Sequence, residues 1–149
     1  MPFCETAHFG RIEYDAVSRL SFSEGLPAFE SERRFVLVQR PEQHPMVFLQ
    51  SVVTPGLCFP ALPVHVVEPS YTPFLSDHDL KLLGFTGQPV NGADALFLAL
   101  IALHEDDPTA NLLAPIVVNL STRAAAQCVD SEMRYSHRCS LLPRLEAAS

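Results

Sequence analysis

The chain has 149 residues, 48% of them hydrophobic, a length that favours one domain burying about 68–70% of the surface its unfolded chain exposes. Charged residues make up only 18%, and the 13 prolines exceed the usual ~5%, so many short elements punctuated by turns are expected. Seventeen acidic against ten basic residues give a formal charge of −7, which disfavours docking on nucleic-acid phosphates or anionic lipid and makes a basic protein partner easier.

Phe9, Ile12 and Tyr14 set among polar residues, then Leu20 and Phe22 in alternation, predict two strands before a Gly-Leu-Pro turn. Three more extended runs follow, Phe35 to Gln39, Met46 to Val53 and Leu57 to Leu62. They are separated by Pro-Glu-Gln-His-Pro and Thr-Pro-Gly, where proline presets φ and glycine permits positive φ. The clearest helix is about 76–83: Ser76 can cap it, Asp77 and Asp79 suit its positive end, and Gly84 can close it in a left-handed conformation. Ala95 to Leu103 reads as a buried strand, although its Ala and Leu content also suits a helix. It is far shorter than the ~20 residues of a membrane helix. "TRAAAQCVD" is open between helix and strand, and residues 143–149 read as a fraying tail.

In "TANLLAPIVVNL", residues 109–120, a proline interrupts an apolar run. Proline cannot donate to a ladder, so the run divides into "TANLLA" leading in and a strand that begins at or near Pro115. Such a strand is a candidate edge on which another chain could add. The fold expected is mainly β: a single-domain, barrel-like or two-layer antiparallel arrangement with one short helix.

Nothing at the amino terminus reads as a signal peptide, which places the protein in the cytosol. Cys4, Cys58, Cys128 and Cys139 lack zinc-ligand spacing and read as free thiols. The nine arginines against one lysine suit planar, bidentate hydrogen bonding. No nucleotide-binding or nucleophile-elbow motif is present, and neither a metal nor a cofactor is expected.

"FGRIEY", "FSEGLPAFESERRFVL", "FLQSV", "SDHDLKLLG", "TANLLAPIVVNLSTRAAAQCV" and "YSHRCSL" occur together in one order. From about residue 8 to residue 142 the chain resembles the bacterial flagellar assembly factor FliW family. The resemblance implies a small cytoplasmic, mainly β, barrel-like protein without enzymatic activity. It further implies binding to the translational repressor CsrA, which hinders repression of flagellin messenger RNA, and competing binding to flagellin. Neither nucleic acid nor membrane is an expected partner, and the free protein is expected to be a monomer. "GLPAFE" departs from the family's Gly-Leu-Pro-Gly-Phe-Glu by carrying Ala28, which suggests that positive φ is not required there.

The candidate partner-binding residues are Glu30, Gln50, Ser51, Asn111, Pro115, Asn119, Gln127 and Tyr135. Each has a plainer reading beside it. Glu30 can be a solvated or turn-capping carboxylate. Gln50, Ser51, Asn111, Asn119 and Gln127 can satisfy neighbouring backbone groups. Tyr135 can be a core ring with an internally bonded hydroxyl. The rival function is a small cysteine-dependent hydrolase using Cys139 and His137, for which no orienting group or oxyanion donor is identifiable.

Overall fold

The computed structural model describes residues 2–103, 107–130, 132 and 134–141. The expected 143–149 tail lies outside the described residues. An amino-terminal hairpin of β1 (Phe3–Thr6) and β2 (Gly10–Glu13) stands apart as its own two-stranded sheet. Seven strands then close a barrel: β3 (Leu20–Phe22), β4 (Arg34–Gln39), β5 (Val47–Ser51), β6 (Cys58–Pro63), β7 (Ala95–Ala102), β9 (Ile116–Asn119) and β10 (Ala124–Gln127). Around the barrel the order is β7-β6-β5-β4-β3-β10-β9, and β9 closes it by pairing back on β7. Only β3 and β10 run parallel within it. Two short strands, β8 (Thr109–Ala110) and β11 (Cys139–Ser140), extend the sheet outward from β7.

Helix α2 (Asp77–Leu83) has the predicted ends: the Ser76 hydroxyl accepts from the Asp79 N–H at 3.1 Å, and Gly84 closes the last turn at φ +80°. A one-turn helix not anticipated from the sequence, α1 (Val64–Val67), follows β6 directly and buries Val64 and Val67. Those two valines lie three apart, so a single turn brings both onto the same apolar surface.

The apolar run of β7 is a strand because both of its faces are covered. Phe97, Ala99 and Ile101 pack outward with α1, Tyr71 and Leu83, while Leu98 faces a separate barrel interior with Leu20, Phe22, Phe35, Leu49 and Ile116. β9 divides in the same way, with Val117 outward and Ile116 and Val118 inward. In β6, Pro60 falls where only β5 lies alongside, since pairing with β7 starts at Ala61, so its missing donor costs little there.

A strand does begin immediately after Pro115, but the edge expected there is absent. β9 is paired on both sides, by β7 and β10, and Pro115, Ile116 and Val118 are all buried. The Pro115 carbonyl accepts from the Cys128 N–H at 2.9 Å. Proline serves as the entry corner of an interior strand, and strand addition at this position loses its basis.

Ala28 also departs from expectation, because its φ is +70°. The left-handed conformation that glycine supplies in the family pattern is present here and is held by an alanine. The surrounding loop enforces it: Leu26 and Phe29 bond each other's backbone, and Gly25 at φ +66° lies against the Glu30 backbone with no room for a Cβ. Ala28→Gly is therefore expected to raise stability by about 1 kcal/mol, read as a higher denaturant midpoint at unchanged m. An unchanged or lower midpoint would show that the strain is absent.

Candidate functional site

The structure gathers the candidate residues into three places and leaves one apart. Glu30, the one apart, is exposed and has no hydrogen bond or ion pair among the described residues. Its neighbour Glu32, which the sequence reading passed over, carries the local chemistry. The Glu32 carboxylate accepts from the Ser51 hydroxyl at 2.8 Å and from the Thr54 hydroxyl.

At this first place Ser51 Oγ also accepts from the Val53 and Thr54 N–H groups, at 3.2 and 2.9 Å. Gln50 is fully buried, and its Nε2 donates to the carbonyls of Ser51, Thr54 and Pro55. Pro55 O also accepts from Ala7 N, so the amide knots the 51–57 turn to the amino-terminal hairpin. Gln50 and Ser51 are thus spent on the fold. Gln50 Oε1 alone has no partner among the described residues.

The second place brings Asn111, Pro115, Gln127 and Tyr135 to one end of β9 and β10. Asn111 Oδ1 accepts from the Ala114 N–H and Gln127 Nε2 donates to the Ala114 carbonyl, so two amides clamp the residue that precedes Pro115. Tyr135 stacks on Tyr71 with ring centroids 4.3 Å apart, and its hydroxyl accepts from the Thr72 N–H. The Tyr71 hydroxyl donates to the Leu112 carbonyl, and burial, then the nearby Asp130 charge, push its pKa well up. Asp130, buried, pairs with Arg134 at 3.3 Å and accepts from the Arg134 backbone. Its hydrogen bond raises the guanidinium's pKa further. Of this group, half-buried Asn111, Gln127 and Tyr135 are partly open to solvent.

The third place is Asn119, buried at the far end of β9, where its amide bridges the carboxyl end of α2 to the 120–123 turn. Gln50, Ser51 and Asn119 are therefore each hydrogen-bonded within the fold, and nothing in the hydrogen bonding distinguishes Glu30 as a contact. Glu32 does not stand out in the sequence, since an acidic run looks alike at each of its members.

His137 lies exposed in the turn before β11 and Cys139 is half-buried within it; no hydrogen bond joins the two among the described residues. All four cysteines are free thiols. Burial pushes the Cys128 thiol strongly up, with Asp79 adding to the shift, and burial also raises Cys4 and Cys58. Unfolding returns such thiols to about 8.5, so they favour the fold below that pH and cost stability as pH climbs past it. At pH 8 a chromogenic disulfide reagent is expected to leave Cys4 and Cys128 unmodified until denaturant is added. Prompt modification of Cys128 in the native protein would contradict its burial.

The sequence model described as "FliW protein" matches residues 4–141. The chain belongs to the FliW family. A flagellar assembly factor FliW of Bdellovibrio bacteriovorus is 34% identical over 144 residues, covering 95% of this chain and 79% of that one. One from Geobacillus sp. strain WCH70 is 34% identical over 140 residues, covering 93% and 94%. A crystal structure titled as the flagellar assembly factor FliW superposes with a TM-score of 0.84 at 34% identity, covering 95% of this chain and 98% of that one. The closed, mainly β barrel is thus the FliW fold. Among the described residues no helix is long and apolar enough to cross a membrane.

Proposed function

We propose that this FliW-family chain is a non-enzymatic, cytoplasmic regulator that binds the translational repressor CsrA and relieves its repression of flagellin messenger RNA. Flagellin competes for the same protein, so its export frees the regulator to sequester the repressor. The observation that carries the reading is the family match across residues 4–141, joined by a shared barrel. A charge of −7 is in keeping with a basic, RNA-binding partner, because opposite charge speeds encounter and orients the pair. The free protein is a monomer without cofactor in this reading.

The test is capture of partners from native cytosol on the tagged chain, with the bound proteins identified by mass spectrometry. Flagellin and a small dimeric RNA-binding repressor are expected, each displacing the other. Recovery of neither would end the proposal. Cys139→Ser is expected to leave both captures unchanged, since a thiol nucleophile has no part in them. A loss of turnover on an ester substrate in that variant would instead revive the hydrolase.

A further inference from the structure

Three of the chain's nine arginines, Arg19, Arg33 and Arg34, meet on the outer face of the barrel where β4, β3 and β10 lie side by side, although the chain as a whole carries −7. Arg19 and Ser21 are two apart across the start of β3, about 6.6 Å along the strand. Arg34 on β4 stands directly opposite Ser21, about 5 Å away, and Ala124 on β10 flanks Ser21 on the other side. Leu20, Phe22 and Phe35 point inward, which leaves Arg19, Ser21 and Arg34 on the solvent face. These residues, with Arg33, line a cleft of about 320 Å³ whose wall on the other side is Leu82 of α2.

The guanidiniums of Arg19 and Arg34 have no hydrogen bond or ion pair among the described residues. Among the described residues no carboxylate pairs with Arg19, Arg33, Arg34 or Arg123; only Arg33 has a bond of its own, to the Ser23 carbonyl. Of the carboxylates close in sequence, Asp15 caps Val17 N–H, Glu24 lies 3.9 Å from His78 and Glu32 holds Ser51 and Thr54, while Glu30 is exposed and pairs with none of these arginines. Arg123 adjoins the cleft, its carbonyl accepting from the Ser21 N–H, and its φ is +66°.

We propose that this cleft binds an extended, acidic segment of a partner protein, with carboxylates at alternate positions. Arginine forks match carboxylates bidentately, and Arg19 and Arg34 are offset by about 6.6 Å along the strand direction, the spacing of residues i and i+2 in an extended chain. The small side chains of Ser21 and Ala124 let a backbone lie close. A long polyanion is disfavoured because the remaining surface is acidic. The site goes beyond repressor capture, which calls on the opposite charge, and its failure would leave that reading untouched.

The probe is the peptide acetyl-Glu-Ser-Glu-Ser-Glu-amide, with its glutamine counterpart as control, titrated into the isotope-labelled chain. The glutamate peptide is expected to shift the backbone amides of Ser21, Arg34 and Ala124, and the control to shift none. Arg19→Glu with Arg34→Glu should weaken binding about tenfold or more at unchanged melting temperature. Absent or scattered shifts, or equal binding by the glutamine peptide, would overturn the proposal. So would inorganic phosphate matching the peptide, or a single-stranded RNA oligonucleotide shifting the same amides at lower concentration, since each assigns the cleft to a different ligand.

Discussion

Gln50→Ala is expected to lower stability by about 3 kcal/mol. The two amide hydrogens are shared among three carbonyls, those of Ser51, Thr54 and Pro55, so their loss costs about 2 kcal/mol together, and truncating a fully buried side chain adds a cavity worth about 2 kcal/mol. Relief of the orphaned Oε1 acceptor returns about 1 kcal/mol. Ser51→Ala, next in the chain, should cost less, about 1 kcal/mol, because Thr54 still holds Glu32. Denaturant unfolding of the two variants reads the difference directly. The larger loss should be local in origin, so hydrogen exchange of the 51–57 turn and the amino-terminal hairpin is expected to accelerate before the barrel strands do. An effect below about 1 kcal/mol at Gln50 would mean that its amide is not the fastener of that turn.

That prediction turns on a residue whose type was informative and whose role was not. Gln50 and Ser51 stand out in the sequence as polar groups ending an apolar run, and an amide at a strand end serves a partner or a turn with equal ease. Burial separates the two uses, and burial depends on the hairpin of β1 and β2 folding back over the 51–57 turn. That is a contact between segments about fifty residues apart, which local pattern does not encode.

The ends of α2 were legible because capping is local: Ser76 and Gly84 act within one turn of themselves. Closure of the barrel was legible only as a tendency. Its deciding step is the antiparallel pairing of β7 with β9, which buries both faces of each and turns Pro115 from an expected edge into an interior corner. Ala28 misled for a related reason. A residue without a left-handed preference suggested ordinary backbone, but Gly25, pressed against Glu30, and the Leu26–Phe29 pair dictate the loop and Ala28 follows. The arginine cleft was invisible as a site because Arg19, Arg34 and Ala124 span more than a hundred residues and meet only through the pairing of β3 with β4 on one side and β10 on the other. Composition registered them merely as an arginine-rich basic set.

Asn119→Ala is expected to cost about 3 kcal/mol as well, for a different reason. Its Nδ2 donates to the Leu83 carbonyl at 2.8 Å, one of the groups an α-helix leaves unpaired at its end, and its Oδ1 accepts from the Ser121 and Thr122 N–H groups at 2.9 and 3.3 Å. One buried side chain therefore fixes α2 to the strand that closes the barrel. Asn119→Asp separates the two halves of that role. The carboxylate keeps both acceptor bonds but places negative charge at the helix carboxyl end, against the dipole and against an unpaired carbonyl. Both effects, with burial, disfavour its ionised form against the two N–H bonds that favour it, so where the lost Leu83 bond dominates the pKa in the folded variant rises above the ordinary value of about 3.9. Raised pKa means that the native state binds the proton more tightly, so the aspartate variant should regain stability as pH falls and lose it as pH rises through that pKa. Equal deficits for the aspartate variant at pH 4 and pH 7 would show that the Leu83 bond contributes little. If Asn119 were instead a partner contact, Asn119→Ala would weaken capture of a partner beyond the share left unfolded. Its burial leads us to expect capture in proportion to the folded fraction.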